Sequence, residues 1–276
     1  MAAPQVPLTV SQRLGAILTW GGAAAVLFFL LVPIFAIVPL SFSSGNFLTY
    51  PLPGFSLRWY EELLTSDKWL PALRNSMIVG VSATIAATVL GTLASIGLNR
   101  ARLPFKPVVM GLLLSPMIVP VVITAIGVYF FFAPLGLSNS FSGLIIAHTA
   151  LGAPFVVITV SATLAHFDIG MARAAASLGA PPLTTFFRVV LPLIMPGVAS
   201  GALFAFATSF DEVVVALMIA GPEQRTLPRE MFSGIRESIN PTITAVATVL
   251  ILTSVVLLVC LELLRRRSER LMTGAN

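Results

Sequence analysis

Long apolar stretches separated by short polar connectors run along this chain. A helix that crosses a bilayer needs about 20 residues, and each stretch is long enough to supply one. The apolar residues are continuous, whereas strands of a transmembrane β-barrel alternate apolar and polar positions in segments of about ten residues. The pattern therefore predicts an all-α, polytopic membrane protein with six transmembrane helices, which we place at residues 14–40, 71–98, 107–132, 140–164, 193–220 and 241–264.

The composition agrees with this class of protein. Of the 276 residues, 57% are hydrophobic and 10% are charged, and the mean hydropathy is +0.97. Soluble domains contain about 25% charged residues, and disordered chains need low hydrophobicity and high charge, so both classes are excluded. The single cysteine, Cys260, lies in an apolar stretch, so no disulfide framework is expected. We treat residues 1–276 as one transmembrane domain.

Lysine and arginine are divided unequally between the two sets of connectors. Ten lie on one side and five on the other, while Arg74 lies at the mouth of the second span. Cytoplasmic loops carry the excess of these residues, so the richer side and both termini are predicted to be cytoplasmic. No basic patch of the kind that binds nucleic acid is present. The richer side contains Arg13, Arg100, Arg102, Lys106, Arg173, Arg188, Arg265, Arg266, Arg267 and Arg270.

The connector between the fourth and fifth spans, residues 165–192, is predicted to contain two short helices. Asp168 can cap the start of the first helix, and Gly179 stands where a helix commonly ends in left-handed backbone. The second helix is predicted over Leu183–Val190 and ends at Pro192. Two short helices that meet at a rigid corner would form a protrusion that can push on a soluble partner. The alternative is an amphipathic helix on the lipid surface, which would need more basic residues.

The same connector contains a spaced motif. It reads Arg173-Ala174-Ala175, three residues, Gly179, nine residues, Val189, one residue, then Leu191-Pro192. This spacing resembles the signature of inner-membrane permeases of binding-protein-dependent ATP-binding-cassette (ABC) importers, which has Glu-Ala-Ala and Ile at the corresponding positions. The resemblance implies the type I importer permease fold, with residues 165–192 as a cytoplasmic coupling loop that docks on the ATPase subunit. Arg173 replaces the family's glutamate, so the charge at this position is reversed.

Further stretches resemble the spermidine/putrescine-type permeases of that family. They begin at Ser56, Ala72 and Ser209. The family implies a second homologous permease, two ATPase subunits, a periplasmic solute-binding protein and a bacterial inner membrane. A polyamine is the expected solute, and opines or other amino-acid derivatives, phosphonates and ferric iron are alternatives. A channel or a structural subunit of a membrane complex is the alternative from another class, although a channel has no reason to contain a coupling loop.

Two carboxylates lie within the predicted fifth span, where ionisable residues usually indicate function. At 100° per residue, a continuous helix would place Asp211 and Glu212 on the same face as a set of small residues. Because small residues allow close approach, this face is predicted to meet another helix or the translocation path. The acids either pair with a partner subunit or cap broken helices, or they line a path for cations. The small residues are Gly197, Gly201, Ala205 and Thr208.

Other candidates are weaker. Tyr129 belongs to an aromatic run that is typical of a membrane-interface belt, with a wall for cation–π contact as the alternative. His148 and His166 are predicted to be packed or hydrogen-bonded, and no metal site is expected because zinc needs three or four ligands. Neither Lys68 nor Lys106 follows the glycine of a phosphate-binding loop. The chain is therefore predicted not to be an enzyme and to hold no cofactor; ATP and magnesium are expected on the partner ATPases.

Overall fold

The computed structural model describes residues 10–100, 104–237 and 240–273. Within these ranges the secondary structure is helical, with one isolated β-bridge between Ser43 and Phe55. The elements are α1 (Val10–Leu40), α2 (Arg58–Thr65), α3 (Trp69–Arg100), α4 (Lys106–Ile118), α5 (Val121–Phe132), α6 (Phe141–Ala165), α7 (Ile169–Ser177), α8 (Pro182–Thr185), a π-helical turn (Phe186–Val190), α9 (Leu191–Phe210), α10 (Val214–Ile219), α11 (Leu227–Glu237) and α12 (Thr242–Thr273).

Five helical stretches are long and apolar enough to cross a membrane, and one bent pair of helices can supply a sixth span. These stretches agree with the predicted first, second, fourth and sixth spans to within a few residues at each end. The third and fifth spans differ from the prediction. The five are Leu14–Leu40, Trp69–Asn99, Phe141–Ala165, Pro182–Phe210 and Thr242–Leu263.

The third span is broken. We expected one helix over residues 107–132, but α4 and α5 meet at an angle of 106°. Val119, at the end of α4, has extended backbone with ψ 133°, as is usual for the residue before a proline. Pro120 has no N–H to continue the hydrogen-bond ladder, so α5 begins anew after it.

The main helix of the fifth span begins earlier and ends earlier than expected. The prediction of a separate short helix at Leu183–Val190, ended by Pro192, is wrong because the helix continues through Pro192 into α9. In the π-helical turn the N–H of Leu191 donates to the carbonyl of Phe186, five residues back. This wider turn makes room for the proline ring and for its missing donor. The α-helix then stops at Phe210 rather than at residue 220.

The core of the molecule is formed by α3, α6 and α9, with α6 packed against both of the others. One apolar cluster lies around Val156, Val160 and Ile194, and a second lies around Leu144 and Val215. The first span, Leu14–Leu40, has none of its most apolar window buried. We name the two ends of the bundle the α7 end and the α11 end, after the helices found there.

Candidate functional site

The α7 end carries a sharply defined corner, which we call the coupling corner (residues 169–182). Asp168 Oδ1 accepts from the N–H of Gly170 at 2.8 Å and caps α7. Gly179 has φ +83°, and the N–H groups of Gly179 and Ala180 donate to the carbonyls of Ala176 and Ala175 at 3.0 and 3.1 Å. This pair of bonds ends the helix as a Schellman motif. The corner therefore has a fixed angle, as the sequence indicated.

The motif residues separate into two groups in the structure. Arg173, Ala174 and Ala175 lie on α7, and Gly179 forms the corner. The remaining three lie at the base of the fifth span: Val189 in the π-helical turn, and Leu191 and Pro192 in the first turn of α9. Only the first group is part of the protruding corner.

The fifth span breaks at two acids, and Glu212 holds the break in place. Its carboxylate accepts from the N–H groups of Val214 and Val215 at 2.8 Å each and of Ala216 at 3.1 Å. These are donors at the start of α10 that have no partner within the helix. Glu212 is only 8% exposed. Of the roles considered for the two acids, capping of a broken helix is therefore the one that describes the geometry of Glu212.

His148 of α6 joins the same break. The ring is buried, and Nδ1 lies 2.8 Å from Oγ of Ser209. Nε2 has no hydrogen-bond partner in the described part of the chain and lies 3.8 Å from Oε2 of Glu212. The last turn of α9 is thus hydrogen-bonded to α6, and the cap of α10 lies beside the same ring. The sequence predicted that His148 is packed or hydrogen-bonded but did not indicate these partners, because they are about 60 residues away along the chain.

Asp211 lies on the other side of the break. It follows the last turn of α9, its N–H donates to the carbonyl of Ala207 at 3.1 Å, and its side chain is exposed. Its carboxylate has neither a hydrogen bond nor an ion pair with the residues that the structure describes. Thr208 is half-buried one turn earlier in α9. Tyr129 of α5 is 41% exposed, and its ring lies edge-on to Phe130 with 5.7 Å between the centroids.

Of the two acids predicted to share the face of the small residues, Glu212 is buried 3.8 Å from His148 of α6, whereas Asp211 is exposed. That face packs against α6: a Cβ atom on Gly201 would lie 2.8 Å from Cα of Val156, and Gly197 is as closely covered by Thr159 and Thr163. Ala205 is 1% exposed and faces Gly152 of α6. The helical projection does not extend beyond Asp211, because the α-helix ends there and Glu212 caps α10 instead.

At the α11 end, polar residues of α3 hold the segment 221–227. Asn75 Nδ2 donates to the carbonyls of Glu223 and Arg225 at 2.8 and 3.0 Å. Ser76 Oγ accepts from the N–H of Leu227 at 2.7 Å. The signal in the sequence is the pair of adjacent polar residues, Asn75 and Ser76, at the start of an apolar span.

A buried carboxylate organises the charges of the same end. Glu230 is 1% exposed, and its carboxylate lies 3.0 Å from Nζ of Lys68 and 3.2 Å from a guanidinium nitrogen of Arg225. Arg229 donates to the carbonyl of Gly221 at 2.8 Å. Burial, and secondarily the charge of Arg225, lowers the pKa of Arg229. These interactions fix α11 to the start of α3. Among the described residues, no group of three or more His, Cys, Asp or Glu side chains is placed to hold a metal ion.

Apolar helices around a three-helix core, two broken spans and a rigid corner at one end define a polytopic membrane protein of the permease class. A family model described as "Binding-protein-dependent transport system inner membrane component" matches residues 87–274. The chain belongs to this family, whose members are the permeases of ABC importers.

Two relatives from Escherichia coli (strain K12) illustrate the similarity. The spermidine/putrescine transport system permease protein PotC is 34% identical over 261 residues, which cover 95% of this chain and 98% of PotC. The putrescine transport system permease protein PotI is 35% identical over 230 residues, which cover 81% of this chain and 82% of PotI.

Solved structures agree on the fold. A chain of a bacterial ABC transporter involved in the import of the acidic polysaccharide alginate superposes with a TM-score of 0.73 at 16% identity, over 95% of this chain and 99% of that one. An amino acid ABC transporter with histidines has a TM-score of 0.55 at 17% identity, over 75% of this chain and 95% of that one. The type I importer permease fold expected from the sequence is confirmed.

Proposed function

We propose that this permease imports a polyamine such as spermidine or putrescine, or a related cationic amine. The observation that carries the proposal is the similarity to PotC over 95% of this chain, because PotC is named for these solutes. The exposed carboxylate of Asp211 supports it. An unpaired carboxylate within a membrane span costs several kcal/mol, so it persists where something compensates its charge. A passing ammonium group would do so.

The proposal includes the assembly in which the chain works. A second homologous permease completes the path, two ATPase subunits bind ATP and magnesium, and a periplasmic solute-binding protein delivers the solute. The α7 end and both termini face the cytoplasm of a bacterial inner membrane, so the coupling corner meets the ATPase. The excess of Lys and Arg at the α7 end supports this orientation.

Within the path, Asp211 is the proposed cation contact, and Thr208 and Tyr129 are proposed to line the same route. Glu212 stabilises the break from which Asp211 projects, because its own carboxylate is occupied by three backbone N–H groups. The attraction at Asp211 must remain weak enough for release, which a single exposed carboxylate at a helix end satisfies.

The test is uptake of radiolabelled spermidine and putrescine by the complete importer, with Asp211→Asn as the variant. Asparagine preserves size and hydrogen bonding and removes the charge, so we expect uptake to fall at least tenfold at an equal amount of assembled complex. The matched control is Asp67→Asn. Asp67 is also exposed but lies in a connector outside the spans, so uptake by this variant should stay within twofold of the wild type.

The solute class is tested in the same assay by competition. Excess unlabelled putrescine should abolish the uptake, whereas an opine, a phosphonate or ferric citrate should not. Competition by one of these instead of putrescine would overturn the polyamine assignment. Uptake that needs no ATP would overturn the importer function and indicate a channel.

A further inference from the structure

The outward face of α7 consists of small residues around one long side chain. Ala172 is half-buried and packs against the core, which sets the inward direction of the helix. At 100° per residue, the opposite face carries Gly170, Arg173, Ala174 and Ser177, all of them exposed. Arg173 therefore projects from a surface that a partner can approach closely.

Exposed apolar side chains surround this cation. Leu178, at the end of α7, is 89% exposed. Ile169 is 50% exposed at the start of the helix. Apolar side chains exposed around a rigid corner indicate a protein surface that is covered in the assembled state.

Arg173 has no ion pair with any residue that the structure describes. The single acid close by, Asp168, has its carboxylate oxygen engaged with the N–H of Gly170 at 2.8 Å. The next cation, Arg188, lies outside the corner in the π-helical turn. The coupling corner thus presents a lone positive charge on an apolar, close-fitting surface.

We infer that the ATPase surface that meets the coupling corner carries a carboxylate, and that this carboxylate pairs with Arg173. The inference rests on the proposed function, which brings the ATPase to this end. A desolvated arginine at an interface needs a partner of opposite charge, and arginine suits a carboxylate because its planar group can donate two parallel hydrogen bonds.

An anionic lipid surface fits the corner less well. Electrostatic attachment to such a surface uses clusters of about four to eight basic residues. Residues 166–190 contain only two Lys or Arg residues, Arg173 and Arg188.

The first experiment reverses the charge. In the complete importer in proteoliposomes, Arg173→Glu should reduce ATP hydrolysis stimulated by the loaded binding protein at least tenfold, and Arg173→Gln should have a smaller effect. Like charges placed face to face repel, whereas a neutral side chain only loses the attraction. Arg188→Glu makes the same charge change outside the corner, and its stimulated ATP hydrolysis should stay within twofold of the wild type. Normal stimulated hydrolysis by Arg173→Glu would overturn the inference.

The second experiment finds the partner group. A benzophenone amino acid at Ala174, beside Arg173 on the exposed face, should crosslink to an ATPase peptide that contains Asp or Glu. Replacing that acid by Arg in the ATPase should restore hydrolysis to Arg173→Glu. The inference would be overturned by crosslinks to lipid alone or to a peptide without an acid. It would also be overturned if the charge exchange restored no ATP hydrolysis.

A third variant separates this inference from the proposed function. Gly179→Val strains the left-handed backbone at the corner and should uncouple hydrolysis whatever the charge of Arg173. Gly136→Val imposes the same strain at another left-handed glycine, in the turn before α6, and should leave coupling intact. If Gly179→Val uncouples and Arg173→Glu does not, only the carboxylate partner is wrong. If neither uncouples, coupling through this corner is wrong as well.

Discussion

Glu212 shows how one side chain divides a membrane span. Backbone N–H groups in a bilayer must be satisfied by the protein, because no water is available in the hydrocarbon region. A break in the fifth span leaves the first N–H groups of α10 without helical partners, and the Glu212 carboxylate accepts three of them. The charge is stabilised by these donors and lies 3.8 Å from the ring of His148.

Glu212→Gln should therefore reduce stability rather than solute recognition. The glutamine oxygen can still accept from Val214 and Val215, but the N–H of Ala216 would face an amide NH₂ and the charge-assisted bonds would be lost. We expect a loss of about 1–3 kcal/mol in the free energy of unfolding. The measurement is the midpoint of thermal unfolding of the purified complex.

Glu61→Gln, an exposed glutamate on α2, is the control for this change and should leave the midpoint unchanged. The affinity of the importer for its solute should be unaltered in Glu212→Gln. An unchanged midpoint together with lost uptake would instead place Glu212 in the solute path.

At the scale of the elements, the closeness of α6 and α9 depends on the absence of side chains. Gly201 faces the backbone of α6 near Val156, and Thr159 lies over the same position. Because helices in a bilayer gain little from the hydrophobic effect, close packing through small residues is a main source of their association. The two broken spans also meet, since α10 packs against α5.

Gly201→Ala should force α6 and α9 apart. The new Cβ would lie 2.8 Å from Cα of Val156, and a backbone atom cannot move aside as a side chain can. We expect a destabilisation of about 1–3 kcal/mol, seen as a lower midpoint of thermal unfolding of the complex. The control is Gly97→Ala in α3, where no atom lies within 4 Å of the new Cβ and alanine favours the helix. Equal midpoints for the two variants would contradict this account of the packing.

At the scale of the whole molecule, orientation follows from the two ends of the bundle. Ten Lys and Arg residues belong to connectors at the α7 end and to the terminal segments, and five belong to the α11 end. The excess predicts that the α7 end is cytoplasmic. The first span lies at the edge of the bundle and packs along α12 with most of its surface uncovered.

Cysteine labelling tests this orientation. In a Cys260→Ser background, Thr49→Cys at the α11 end should react with a membrane-impermeant maleimide in intact cells. Lys106→Cys at the α7 end should react only after permeabilisation. Both original side chains are exposed, so access to the outside is the only difference that the assay reports. The reverse pattern would contradict the orientation and the proposed direction of transport.

The features that the sequence determined are those encoded by neighbouring residues. Continuous apolar stretches define most of the spans, because a backbone in lipid must satisfy its own hydrogen bonds and a helix does so locally. The coupling corner is local as well: the cap by Asp168 and the left-handed Gly179 lie within a dozen residues of each other. The spacing of the motif that includes Arg173 was enough to identify the family.

Only the tertiary structure decided where the spans break and what the acids do. The end of α9 is held by the hydrogen bond between His148 and Ser209, which are 61 residues apart along the chain, and the start of α10 by the cap that Glu212 makes. A periodicity argument continues a helix until a residue forbids it, and nothing in residues 211–213 forbids one. The same holds for the bend of 106° at Pro120, since a proline predicts a kink but the packing of the flanking helices sets its size. Asp211 and Glu212 are adjacent in sequence, and only the packing of α6 against the break makes one exposed and the other buried.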